Sequence, residues 1–290
     1  IENFCSGQSL KNVPVQLARL ADTQGKTGPA TQYYRQAQLA YQDLTPLHTI
    51  SYLDPNLSDD SPSVFHYEFA DVLLRHSGEQ VDKKQISKLL VQARDSIEEL
   101  KSAELQDYFK DSCIADMQAR NESIGEYTES DALILYPILF SDRLELLASY
   151  RGEIYRYTTK VKQEVITDAV YKFRGELEKR RSRGYLKYAK QLYRWIIEPI
   201  ESLLQHSDVD TLVVIPDLAL RTLPIAALHD GKQFLVNRIS IVSSPGLNLT
   251  ARNSHERASD SVLLMGLTEP VQGYPALFNV NTELENINKL

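Results

Sequence analysis

The chain has 290 residues, 42% of them hydrophobic and 24% charged, with a formal net charge of −7. Such a composition is that of a globular protein able to bury a sizeable core as one large domain or two ordinary ones. The acidic balance argues against a general binder of nucleic acid or of anionic membranes, which needs an excess of Lys and Arg facing phosphates.

No stretch approaches the roughly 18 consecutive apolar residues of a membrane span, and the N-terminus lacks the basic-then-apolar order of a signal peptide. A cytoplasmic protein without a membrane partner is expected. Cys5 and Cys113 stand far apart and form no Cys-x-x-Cys pair, so both read as structural thiols rather than as a disulfide or a zinc site. Because it begins at Ile1 and ends at Leu290 inside a helical pattern, the chain is expected to be a piece of a longer protein.

From Val15 the residues Leu17, Ala18 and Leu20 predict a helix, Gly25-Lys26-Thr27-Gly28 a turn, and Ala30, Tyr33, Tyr34, Ala37 and Tyr41 a second helix. Alanines that allow close approach, with Leu17, Leu20, Tyr34 and Tyr41 filling gaps, fit a tetratricopeptide-like hairpin. A generic helical hairpin fits the same residues. A polar linker is expected over 54–63, a short helix over 65–75, and a long helix through Ile86, Leu89, Leu90, Ala93, Ile97 and Leu100 to Phe109.

Beyond a polar interval at 121–130 the periodicity changes. Residues 132–140, 143–150 and 153–159, separated by Ser141-Asp142 and Arg151-Gly152, predict an antiparallel meander. Two amphipathic helices follow, one from Val165 to Leu177 and one from Leu186 to Leu204 with a bend at Pro199, whose ring removes an N–H and crowds the preceding turn. The apolar run 211–215 reads as a parallel strand covered on both faces. A hairpin over 234–243 turning near Asn237, a helix opening near Pro245, a strand over 261–266 and a last helix from Glu283 complete the pattern. Strands alternating with amphipathic helices point to an α+β or α/β layered domain over 126–290, preceded by a hairpin over 1–53 and a linker with helices over 54–125.

The residues that could carry chemistry are few. None of the six histidines (His48, His66, His76, His206, His229 and His255) closes an apolar strand ahead of a glycine, the context in which an imidazole activates a neighbouring cysteine thiolate. Cys113 sits in a helix-end context and Cys5 near the terminus, and a free cysteine is usually a small buried hydrophobe. His229 precedes Asp230-Gly231, which makes it a turn residue. Gly25-Lys26-Thr27 is similar to the end of a phosphate loop, but Leu20 occupies the place of the required first glycine. His255-Glu256 lacks a second zinc-ligating histidine. No catalytic residue, metal or cofactor is assigned. Between Arg151 and His206 thirteen Lys or Arg stand against seven Asp or Glu, including the cluster at 179–183. An anion or RNA contact is one reading of it; because no aromatic stacking platform or repeated basic helix face accompanies it, a solvated helix-to-helix loop is expected there and nucleic acid is not an expected partner.

The wording "LVVIPDLALRTLPIAALHDGKQFLVNRISIVSSPGLNL" at 212–249 resembles the first half of CHAT domains, the caspase-like, tetratricopeptide-associated cysteine peptidases. The helix "LLVQARDSIEELKSAELQDYFKDSC" is similar to the one that precedes them, and "GLTEPVQGYPAL" with "NTELENI" to the stretch before their histidine strand. The resemblance implies a TPR-like segment followed by the first half of a caspase-like α/β/α domain, within a cysteine endopeptidase whose His and Cys lie beyond this chain. Several relatives act in bacterial defence. It further implies partners in a peptide or protein held by the repeats and in the remainder of the CHAT domain. A non-enzymatic interaction scaffold with a degenerate CHAT domain is the alternative.

Overall fold

A computed structural model describes residues 13–42, 62–109, 131–179, 183–206, 208–247 and 264–288. The elements run α1 (Val13–Thr23), α2 (Thr27–Gln42), α3 (Pro62–Gly78), α4 (Lys83–Phe109), β1 (Ala132–Leu139), β2 (Leu144–Tyr150) and β3 (Glu153–Thr159). Then come α5 (Gln163–Leu177), α6 (Tyr185–Ile196), a 3-10 turn over Glu198–Ile200, α7 (Glu201–Leu204), β4 (Thr211–Val214), β5 (Ser240–Ser243) and α8 (Val280–Ile287). The strands form one mixed sheet in the order β3-β2-β1-β4-β5. β1, β2 and β3 are antiparallel neighbours, while β1, β4 and β5 run parallel.

Why the sheet carries helices on both faces follows from β1. Successive side chains of a strand point to opposite faces, and in β1 both sets are apolar and buried. Leu133, Leu135 and Leu139 join Leu144, Leu146, Leu212 and Val214 in a core closed by Ile166, Val170 and Phe173 of α5 and Ala189, Leu192 and Ile196 of α6. Ile134, Tyr136 and Ile138 join Leu147 and Ile215 in a second core closed by Phe69, Leu73 and Leu74 of α3 and Leu89, Ala93 and Ile97 of α4. The hairpin α1–α2 packs on this second layer, with Tyr34 stacked 5.6 Å from Phe69. The architecture is thus mixed α/β, with a helical N-terminal part followed by the sheet, as the sequence pattern predicts.

The meander lies where its turn residues place it. Arg151 and Gly152 both have positive φ, 47° and 78°, the backbone of a two-residue hairpin turn. The expected bend at Pro199 is a break: α6 ends at Ile196 and a 3-10 turn takes over. Pro62, placed by the sequence in a linker, opens α3, and that helix runs on to Gly78. Ser63 follows Pro62 in the helix, while residues 54–61 of that linker and the polar interval at 121–130 lie outside the described residues.

Other expectations need correction. Leu17 and Leu20 fill no gap; they are 39% and 55% exposed, because the buried face of α1 is Val15, Ala18 and Ala21. Residues 234–243 form no hairpin. Phe234 bridges back to His229, Leu235–Asn237 make a single 3-10 turn, and Ser240–Ser243 add to β4 in parallel register from Thr211↔Ser240 to Val214↔Ser243. Pairing to the free edge of an existing sheet outweighs a local alternation only a few residues long. Pro245 lies in a bend, and the helix expected after it falls beyond Leu247, outside the described residues, as does most of the strand expected at 261–266. Residues 264–266 are not in a strand.

The described residues 264–288 belong to a unit of their own. There an extended segment passes α8 so closely that a Cβ on Gly266 would meet Val280 Cγ1 at 2.3 Å. Val271 and Tyr274 close a tight turn through Gln272 and Gly273, both at positive φ.

A chain of alternating charges fixes α1 and α3 to β2 and β3. Asp22 accepts from Arg75 at 2.8 Å, Asp71 from Arg75 at 2.9 Å and also from Arg143. Glu145, fully buried, accepts from Arg143 at 2.6 Å, from Arg156 at 2.7 and 2.9 Å, and from Thr158 at 2.8 Å. Arg156 also donates to the Leu74 carbonyl. Burial by itself raises the Glu145 carboxyl, but the hydrogen bonds from Arg156 and Arg143 outweigh it and hold the group below the usual glutamate range. Its contribution is therefore complete above the unfolded pKa of about 4.3 and is lost as pH falls through the lower folded value. Glu145→Ala leaves two guanidinium groups without their shared carboxylate and is expected to cost about 3–5 kcal/mol. Urea unfolding measures it, and Glu145→Gln is expected to flatten the acid loss of stability seen in the wild type below about pH 4.3.

Candidate functional site

In open α/β sheets, functional groups gather outside the carboxyl ends of the parallel strands. At that edge β4 runs into Ile215-Pro216-Asp217, and a buried polar cluster forms against α3 and α4. Asp217 is 1% exposed. Its carboxylate accepts from the Tyr67 hydroxyl at 2.6 Å and from the Leu139 backbone N–H at 3.2 Å. Lys101 Nζ lies 3.9 Å away and donates to the Pro216 carbonyl at 2.7 Å. Nearby, buried Glu98 accepts from the Tyr136 hydroxyl at 2.7 Å and from the Leu247 N–H at 3.0 Å. The end of β1, the loop after β4 and the segment after β5 are thus tied to one pair of helices.

The electrostatics follow from burial. It is the larger cause that raises the Tyr67 and Tyr136 hydroxyls well above their usual range, and the adjoining Asp217 and Glu98 carboxylates add to it. Burial lowers Lys101, and the Asp217 charge opposes it. Leu218, next in the chain, has φ 43°, a left-handed conformation that costs a residue with a Cβ about 1–2 kcal/mol. The segment is held there by anchors on both sides: Asp217 before it, and Arg221 donating to Glu104 after it. Each polar group in this cluster has a partner, so the arrangement orients a loop at the sheet edge rather than presenting a free acid, base or nucleophile.

The histidines within the described residues are likewise occupied. His229 Nδ1 accepts from the Gly231 N–H at 2.8 Å and the ring meets Phe234 edge-on at 4.9 Å. Asp230 closes the same turn by accepting from Lys232 and Gln233 N–H at 2.6 and 2.7 Å, as the sequence reading expects. His206 stacks on Tyr150. His76 Nδ1 is 2.9 Å from the Thr27 hydroxyl, which donates to Glu79 at 2.6 Å; the Gly25-Lys26-Thr27 turn therefore serves the α1–α2 hairpin. His66 Nδ1 is 3.1 Å from Ser96 Oγ. Cys5, Cys113, His48, His255 and Glu256 lie outside the described residues. Among the described residues no group of three or more His, Cys, Asp or Glu side chains is placed to hold a metal ion, and no helix is long and apolar enough to cross a membrane.

The polar cluster escaped the sequence reading, although Asp217 closing an apolar strand and Glu98 beside the α4 stripe were visible signals. Their meeting depends on α4 lying across the carboxyl edge.

Residues 186–290 match the family model described as CHAT domain. Over this stretch the chain is similar to CHAT domains. The match begins on α6 and takes in β4, the Asp217 loop, β5 and α8; β1 lies outside it but pairs in parallel with β4. No curated protein matched the chain.

Two measurements check the physical reading of this region. Asp217→Ala leaves Lys101 buried without its principal counter-charge and is expected to destabilise by about 3–5 kcal/mol, while the double variant with Lys101→Met recovers much of the loss. A thermodynamic cycle from urea unfolding of the four proteins decides it. Burial pushes His66 down to about 4, opposed by a hydrogen bond to Ser96, so its stabilising share is complete above about pH 6.5 and is lost as pH falls from there to about 4. The loss is expected to approach roughly 3 kcal/mol and to be absent in His66→Leu, measured by unfolding at pH 7 and at acid pH.

Proposed function

We propose that this chain is the supporting part of a CHAT-type, caspase-like cysteine endopeptidase. Its sheet would hold the peptidase fold, its α1–α2 hairpin would be a tetratricopeptide-type unit receiving a protein or peptide partner, and its His/Cys dyad would be supplied by sequence outside the 290 residues. The observation that carries this reading is the CHAT match over 186–290, which coincides with parallel strands whose carboxyl edge is braced by Asp217, Lys101 and Tyr67. The described histidines, each engaged in a local contact, support placing the dyad elsewhere. A bacterial defence role and a cytoplasmic setting belong to the same proposal.

A non-enzymatic scaffold is the second reading, favoured by the full pairing of the Asp217 cluster. Activity separates the two. The 290-residue chain alone is expected to cleave no protein substrate and to take up no thiol-directed peptidase probe. In the intact parent, cleavage is expected and Cys113→Ala is expected to leave it unchanged. Activity of the isolated chain, or its loss in the intact Cys113→Ala protein, contradicts the first reading; an intact parent inert on every substrate and unlabelled by the probe supports the second.

A further inference from the structure

α6 reads Tyr185-Leu-Lys-Tyr-Ala-Lys-Gln-Leu-Tyr-Arg-Trp-Ile196 and contains no acidic residue. Its inner face, Ala189, Leu192, Tyr193 and Ile196, is buried. At 100° per residue, Lys187, Lys190 and Arg194 fall within one narrow arc opposite that face, and Arg183 lies two residues before the helix, ahead of its N-cap Gly184. The helix itself is expected from the sequence; the line of basic residues along its outer face is not.

Two observations separate this stripe from an ordinary solvated face. Two lysines on and just beyond the neighbouring α5 are paired, Lys172 with Asp168 and Lys179 with Glu176, at 2.7 and 2.6 Å. Among the described residues Arg183, Lys187, Lys190 and Arg194 have no such ion pair. In addition, Lys187, Gln191, Arg194 and Trp195 line a recess of about 340 Å³, so two cations, an amide and an indole converge on one hollow. Trp195 is only partly buried against the core.

We propose that this outward face of α6 binds the backbone of a single-stranded nucleic acid, with one base stacked on Trp195. The span from Arg183 to Arg194 is about 16 Å at 1.5 Å per residue, enough to follow several phosphates of a stacked strand spaced about 3.4 Å apart. Phosphates take the stripe, the Trp195 ring supplies the sequence-tolerant stacking surface that single-strand binders use, and the Gln191 amide reaches a base edge. An acidic peptide would meet the charges but leave the indole and amide unused. The net charge of −7 for the whole chain does not oppose a local site, since attraction between exposed charges decays over about 10 Å at 0.1 M salt.

Trp195 is the single tryptophan of the sequence, so its fluorescence reports on the site without mutation. A short oligouridylate and an oligodeoxythymidylate of equal length are titrated into the full chain at several salt concentrations, with polyglutamate as the competing polyanion. Saturable quenching by either oligonucleotide is expected; which of them binds more tightly identifies RNA or DNA as the natural source. Lys187→Glu with Arg194→Glu, both exposed, is expected to weaken binding at least tenfold and lower the logarithmic salt slope by about 2. Trp195→Leu is expected to weaken it about tenfold with the slope unchanged. Thermal unfolding of each variant verifies folding, and Lys187→Gln with Arg194→Gln replaces the charge reversal if that variant unfolds. Absence of quenching, binding indifferent to the paired substitution, or polyglutamate binding as tightly as either oligonucleotide overturns the proposal.

Discussion

The burial of β1 on both faces is the constraint from which the rest of this structure follows. A strand with apolar side chains alternating to both sides cannot stand at the surface of a two-layer domain; each face needs its own helical cover. Leu133, Leu135 and Leu139 require α5 and α6, while Ile134, Tyr136 and Ile138 require α3 and α4. The N-terminal helices are thereby a structural layer of the sheet. The antiparallel β2 and β3 occupy one side of β1 and the parallel β4 and β5 the other.

Polar groups do the aligning that apolar packing leaves open. Hydrophobic contact is non-directional, so a helical layer could slide on a sheet face at small cost. Two buried networks oppose that. Around Glu145, guanidinium forks from Arg143 and Arg156 couple the meander to α3 and, through Asp71, Arg75 and Asp22, to α1. Around Asp217 and Glu98, single hydrogen bonds couple α3 and α4 to the carboxyl edge of the parallel strands. Buried pairs of this kind fix geometry more than they add stability, and both networks sit where a shift of the helices would be felt by the sheet.

This geometry gives the proposed function a physical basis. On the proposed reading, in which the peptidase centre is completed at the carboxyl edge, the loop beginning at Asp217 lies at that edge and is held by helices of the N-terminal layer. The basic face of α6 lies in the opposite layer and is independent of that connection.

The sequence by itself determined the local elements. The three strand segments of 132–159, the Arg151-Gly152 turn, the stripe of α4, a disturbance of the helix at Pro199 and the apolar run of β4 are all short-range patterns, set by neighbours a few residues apart. The CHAT resemblance was legible for the same reason, in the contiguous wording from Leu212 onward. Tertiary structure alone decided which partners meet: that Ser240–Ser243 joins β4 instead of folding back on Phe234, that Leu17 and Leu20 face outward, and that Asp217 finds Lys101 and Tyr67 from positions 116 and 150 residues earlier. Such choices depend on competition for a sheet edge and on desolvation of buried charge, and neither quantity exists until the layers have closed.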